Sequence, residues 1–206
     1  TKSTLLTRPE TEGLSMTQVN ELLLDRLRVA LEGEIRRLDP NIPAILLAHA
    51  MVDTASYGAE RFLATGRGFT IPMAMLARPC FDYVALGHVH RYQVLCEQPL
   101  MIYPGSIERV DFSEETEDKG YLLVQVAKGQ AQAEFCPLPV RPFKTIEVDL
   151  TQAEAPQVRL EQAIAKAEIA DVVVRCLYTL RADQVDRIDQ SRLETALAAA
   201  HTYSLQ

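Results

Sequence analysis

The chain has 206 residues, with 21 Lys and Arg against 28 Asp and Glu, a formal net charge of −7 and 48% hydrophobic residues. That length buries a core for one or two domains, and no apolar run reaches the roughly 18 residues a membrane-spanning helix needs. The acidic balance excludes gripping nucleic acid by bulk charge, so a nucleic-acid enzyme of this composition needs a local basic groove or a basic partner.

The first residues, TKSTLLTRPETEG, begin without methionine and lack the apolar core of a signal peptide, which leads to the expectation that this is a fragment. From Ser15 the stretch SMTQVNELLLDRLRVALEGEIRRLDPNIP predicts a long amphipathic helix. Val19, Leu23, Leu27, Ala30 and Leu31 recur at helical spacing, Ser15 or Thr17 can cap the start, and Asp39-Pro40 ends it. IPAILLAHA then predicts a short strand buried on both faces, and Met51 to Arg78 a long loop with a short helix near IPMAMLARP. FDYVALG predicts a second buried strand, RYQVLCE and LMIYPG two more around Gln98-Pro99, and DKGYLLVQVAKGQAQAEFCPL a hairpin.

The character changes after PLPVRPF, where KTIEVDL, APQVRLEQAIAKAEIA, DVVVRCLYTL and QSRLETALAAAH read as strand, helix, strand and helix. A further strand can begin at TYSLQ. The expected fold is therefore α/β: a layered part over residues 1–140 whose sheet turns antiparallel at its edge, then a small βαβα domain over residues 141–206. Cys80, Cys96, Cys136 and Cys176 form no CxxC pair, so buried reduced thiols in a cytoplasmic protein are expected rather than a thiolate metal site or a disulfide scaffold.

The stretch with chemistry is FDYVALGHVHRYQVL, which holds two of the four histidines. An apolar strand running into Gly87 places His88 at the carboxyl end of a strand, where open α/β sheets carry their ligand sites. Strand alternation would send His88 and His90 to the same side, and the glycine leaves the backbone room to turn or be approached. His49 ends the other apolar strand, so parallel pairing of the two strands would bring all three imidazoles to one sheet edge. Such a set serves one metal ion or two neighbouring ones. Histidine alone suggests zinc, and oxygen ligands would shift the choice. Asp53 and Asp82 are read as a loop-solvated and a turn-forming side chain, and His201 as a hydrogen-bonded surface residue.

These residues carry a resemblance. FDYVALGHVH resembles the Gly-His-x-His motif of calcineurin-like metallophosphoesterases, and the strand ending in His49 resembles their preceding single-histidine motif. Together with YGAERF, YPGSIERVDFSEE, KGYLLVQV and RPF, the pattern is similar to the SbcD-type exonuclease subunit of the DNA double-strand-break repair nuclease, from about Ser3 to the end of the chain.

The resemblance implies the C-terminal part of a metallophosphoesterase sandwich followed by a capping domain from near Arg141. It implies a binuclear site, usually with Mn²⁺, that cleaves DNA phosphodiester bonds; His49 and His88 would bind one ion and His90 the other. It also implies an SbcC-type ATPase partner and a homodimer of the full-length protein. The family's Asp-x-His, Gly-Asp and Gly-Asn-His-Asp motifs do not occur here, so no catalytic residue is assigned within this chain and the fragment alone is expected to be inactive. Ala50, Thr54 and Ala59 depart from the residues expected after the single histidine, two glycines and a serine. Arg91 and Tyr92 are candidates to face a phosphate backbone. Arg109 either touches DNA or pairs with Asp111, the pair being favoured, and the acidic run DFSEETEDK is read as a solvated loop. The rival functions are a small-molecule phosphodiesterase or phosphatase of the same superfamily, and a non-catalytic metal-binding scaffold.

Overall fold

A computed structural model describes residues 8–58 and 69–206. They fall into two compact units, one of residues up to Ser106 together with Gly120–Cys136, the other of Ile107–Lys119 together with Pro137–Gln206. Among the described residues no helix is long and apolar enough to cross a membrane.

The first unit opens with a short helix α1 (Arg8–Thr11) and the long helix α2 (Met16–Ile35). Ser15 and Gln18 cap α2 reciprocally, each side chain accepting from the other's backbone N–H. Leu23 is buried and Leu27, Leu31 and Ile35 pack against the core, whereas Ala30 is exposed. The helix stops at Ile35, short of Pro40, and the Asp39 carboxylate turns back to accept from the Asn41 N–H.

The main sheet has the order β1 (Ile45–His49), β4 (Tyr83–Gly87), β6 (Leu100–Tyr103), β5 (Gln93–Glu97). Its first three strands are parallel, and β5 is antiparallel at the edge. A parallel pair β2 (Met51–Val52) and β3 (Thr70–Ile71) leads to the short helix α3 (Met73–Leu76), whose first N–H donates to Asp53. Strand β4 is buried through Val84 and Leu86, as its apolar run predicts. Strand β1 is not buried on both faces: Leu46 and Ala48 pack on the core, while Ile45 is 51% and Leu47 77% exposed. The reason is position. An apolar run identifies a strand, but Ile45 and Leu47 alternate onto the sheet face away from the core cluster, and apolarity alone does not tell whether both faces are covered.

The expected hairpin forms as β7 (Gly120–Ala127) and β8 (Gln130–Pro137). Its turn is tied down by Asp82, which is buried and not merely turn-forming. One carboxylate oxygen accepts from the Gly129 N–H at 2.6 Å, the other from the Ala44 N–H at 2.7 Å and the Lys128 ammonium at 3.2 Å. A cavity of about 480 Å³ opens here, at the end of β4 opposite the histidines.

The second unit holds β9 (Phe143–Asp149), α4 (Pro156–Ala165), β10 (Val173–Thr179), α5 (Gln190–Ala196) and β11 (Thr202–Leu205). The strands form one parallel sheet in the order β11-β10-β9 around Leu150, Leu160, Cys176, Leu193 and Leu197. Helix α5 ends at Ala196, before the alanine run is finished. Of the four cysteines only Cys176 is buried, and burial pushes its thiol pKa up.

The acidic run is not a solvated loop. Lys119 is fully buried, with its ammonium 2.8 Å from Glu114, itself buried, and 2.9 Å from Glu117. Glu115 accepts from the Thr145 N–H and hydroxyl. Arg109 does not pair with Asp111, which instead caps the turn at Ser113. Its guanidinium donates to three carbonyls, those of Glu114 at 3.1 Å, Glu117 at 2.7 Å and Arg141 at 3.2 Å. A charge count predicts solvation, but it cannot register that the run's own lysine is buried between two of its carboxylates and that Arg109, just before it, binds its backbone carbonyls.

Two outcomes follow from these contacts. Lys119→Met strands the buried Glu114 carboxylate and should cost about 3–5 kcal/mol in urea unfolding, with the Glu114→Leu, Lys119→Met pair recovering at least half of that. Asp82 is held below the usual carboxylate range, first by the Ala44 N–H, then by the Gly129 N–H, with Lys128 adding less. Its contribution is therefore complete above the unfolded value of about pH 4 and is lost as the pH falls through the folded value. Asp82→Asn should lower stability at neutral pH and flatten its decline below about pH 4, as read from melting midpoints across that range.

Candidate metal centre

The pairing of β1 with β4 is parallel and sets His49 opposite Gly87. Ala50 continues the ladder, its N–H donating to the Gly87 carbonyl at 3.2 Å. The two chains thus end at one level, and the His49 and His88 rings stand 5.3 Å apart, nearly edge to face at 75°. Two imidazoles bound through nitrogen at ~2.1 Å to one ion have ring centres on the order of 5 Å apart, so the spacing suits a shared metal.

The glycine has a specific task. A Cβ at Gly87 would lie 2.9 Å from His49 Nδ1, closer than real side chains come, so the imidazole occupies space that only glycine leaves open. His49 is otherwise exposed, whereas His88 and His90 are half-buried.

The alternation argument for His88 and His90 does not apply, because β4 ends at Gly87 and His88 has φ of +101°. A histidine in that region carries strain on the order of 1–3 kcal/mol, which persists only when its surroundings hold it. Val89 is 2% exposed and anchors the turn. The His90 carbonyl accepts from the Ser106 N–H at 3.0 Å. Gly105, at φ +83°, lets that carbonyl approach to a point 2.8 Å from where a Cβ would be.

Further residues hold the loop after His49. Tyr103, fully buried in β6, donates its hydroxyl to the Ala50 carbonyl at 2.5 Å. Burial raises the Tyr103 pKa far above the usual phenol value, so the group stays a donor. Tyr57 donates to the Val52 carbonyl. Gln93 holds Ser56 from both sides, accepting its N–H at 2.8 Å and donating to its carbonyl at 2.9 Å. None of these was singled out from the sequence. The turn dipeptide at Pro104-Gly105 and a tyrosine ending the LMIY run are signals of a kind, but Gln93 offers none.

The Tyr92 ring packs on Phe135 at 4.7 Å, Arg91 is exposed, and His201 lies 3.6 Å from Asp171 at the surface. Asp53 is occupied with the start of α3 and Asp82 with the opposite strand end, and among the described residues no group of three or more His, Cys, Asp or Glu side chains gathers to hold an ion. The imidazoles therefore supply nitrogen donors for one side of a metal site and no oxygen donors. Ala59 and most of YGAERF lie outside the described residues.

No family model matches the chain. Over 80 residues it is 41% identical to an uncharacterized metallophosphoesterase, YhaO, of Bacillus subtilis, covering 38% of this chain and 19% of that protein. Over 126 residues it is 32% identical to the SbcD component of the nuclease SbcCD of Staphylococcus epidermidis, covering 60% of this chain and 33% of that protein. The chain is thus similar in sequence to a metallophosphoesterase and to a nuclease subunit, and the matched stretches span a fifth and a third of those two proteins.

Gly87→Ala tests the packing at the site directly. The backbone there accepts alanine, and His49 is free to swing toward solvent, so the melting midpoint should change by less than a few degrees. The His49 ring signals in a nitrogen-15 NMR spectrum should move, while those of His201 stay in place.

Proposed function

We propose that the protein carrying this chain is a metal-dependent nuclease subunit that cleaves DNA phosphodiester bonds, at double-stranded ends and internally. The convergence of His49 and His88 at one sheet end, with Gly87 clearing the space between them, carries this reading, together with the kinship to the SbcD component of a nuclease. His49 and His88 would hold one ion and His90 a second, with Mn²⁺ favoured once carboxylates complete the shell. Bound ions of this kind clamp the scissile phosphate, generate hydroxide and stabilise the leaving oxygen.

The part of this chain is to hold neutral imidazoles at fixed spacing. The β1–β4 register sets His49 against His88, and the strained turn after Gly87, pinned by Val89 and Ser106, carries His88 and His90. No residue here is assigned the proton transfer. Three imidazoles without a carboxylate bind divalent ions weakly, so the chain by itself would be inactive.

In this reading residues 1–140 are part of a layered metallophosphoesterase sandwich and residues 141–206 belong to a capping domain. The partners are DNA, an SbcC-type ATPase and a second copy of the full-length protein, in the cytoplasm. Arg91, exposed beside His90, and Tyr92 remain the DNA-facing candidates. Arg109 is the weaker one, because its guanidinium already serves three carbonyls.

The test expresses the protein from its own gene and assays Mn²⁺-dependent cleavage of double-stranded DNA ends, with and without the ATPase. The wild type should cut, and His88→Ala should lose at least a hundredfold. Equal cutting by His88→Ala would remove the metal assignment. Hydrolysis of nucleotides but not DNA would favour a small-molecule phosphodiesterase, and metal binding without hydrolysis a scaffold.

A further inference from the structure

The residues proposed as metal ligands sit on two separate segments, the loop after β1 and the turn after β4. What fixes one segment against the other is the end of β6, which lies on the far side of β4 from β1. Three contacts are made there. Tyr103 lies on the core face of the sheet with Leu86 and Ala48 and passes its hydroxyl to the Ala50 carbonyl, one residue beyond His49. Gly105 gives the His90 carbonyl its space, and the Ser106 N–H donates to that carbonyl. A stretch of four residues, Tyr103 to Ser106, thus grips the backbone on both sides of the candidate centre.

We infer that Tyr103 is a positioning residue of the metal centre, setting the His49 imidazole through the Ala50 carbonyl, while Gly105 and Ser106 set His90. This rests on reading His49 and His90 as ligands, and it adds a group that touches neither metal nor substrate. Ala50 uses its N–H on Gly87 and its carbonyl on Tyr103. The Tyr103 side chain is buried, and the Tyr57 hydroxyl donates to the carbonyl of Val52, two residues beyond Ala50. Removing the hydroxyl takes its donor from the part-buried Ala50 carbonyl, and the backbone next to His49 then rotates as that carbonyl finds another. Because the His49 imidazole is carried on that backbone and its ring lies over Gly87, the rotation changes where the ring sits. Outer-shell partners of this kind typically change metal affinity by about 10–100-fold.

The experiment compares the chain with Tyr103→Phe, Gly105→Ala and a packing control on the same strand, Met101→Leu. Three quantities are read: the melting midpoint, the nitrogen-15 ring signals of each histidine without metal, and Mn²⁺ binding from the loss of the free-ion EPR signal. Tyr103→Phe should move the His49 ring signals and weaken Mn²⁺ binding about tenfold. Gly105→Ala should move His90 and leave His49 in place, and Met101→Leu should shift the midpoint without moving either.

A Tyr103→Phe protein that melts earlier while its His49 signals coincide with wild type would overturn the inference and leave Tyr103 a core residue. If the wild type takes up no Mn²⁺, the ligand reading fails on its own. The ring signals still decide whether Tyr103 positions His49. If Tyr103→Phe fails to fold, Gly105→Ala decides: an unmoved His90 signal would overturn the gripping role of this segment.

Discussion

The parallel pairing that puts His49 level with Gly87 is the constraint on which the rest of the candidate centre depends. Parallel strands run in one direction, so their carboxyl ends meet on one side of the sheet, and each delivers a histidine there. An antiparallel pairing of the same two strands would have sent His49 and His88 to opposite ends, about five residues apart. The glycine then converts a shared level into a shared site, because the His49 ring fills the volume that any other residue at 87 would take. Side-chain chemistry and backbone topology are not separable here: the motif Gly-His-x-His is half about ligands and half about making room for a ligand from elsewhere.

Much of this was legible. Apolar run length and flanking turns found the strands, helical periodicity found α2, and of the two capping candidates Ser15 and Thr17 it is Ser15 that caps. The convergence of His49 with His88 followed once parallel pairing was assumed, and parallel pairing is what formed. What was not legible shares one cause, which is that it depends on residues distant in sequence. Leu47 is exposed because it lies on the sheet face away from the core cluster, a fact about layers and not about Leu47. Likewise Asp82 is buried because a hairpin turn about 47 residues later donates to it. The alternation rule failed at His88 for a local reason: the strand ended at Gly87, as FDYVALG predicts, and positive φ replaced pleat at the next residue.

The acidic run shows how charge counting misleads at short range. DFSEETEDK looks solvated because its charges are numerous and of one sign, yet its one lysine is buried with Glu114 and Glu117. Such a buried pair adds little net stability over an apolar pair, since desolvation offsets most of the attraction. Its consequence is specificity of geometry. With Arg109 donating to the carbonyls of Glu114, Glu117 and Arg141, the segment 107–119 is fixed as part of the second unit's own structure. An arginine whose donors are spent on three carbonyls has little left to offer a phosphate.

The same accounting orders the candidates at the metal centre. A ligand has to keep a lone pair available, so a side chain already committed to the fold is a poor one. Asp53 and Asp82 both accept from backbone N–H groups, and neither lies with the histidines as a free oxygen donor. Of the histidines, His49 is exposed, and His88 is kept in a strained backbone conformation that packing at Val89 and the grip on the His90 carbonyl offset. Folding stability alone gives no reason to hold a histidine at positive φ when glycine would sit there without strain. The strain is explained if the imidazole is needed at that place, and that is what makes the turn after Gly87, more than the cavity at the other end of β4, the candidate site.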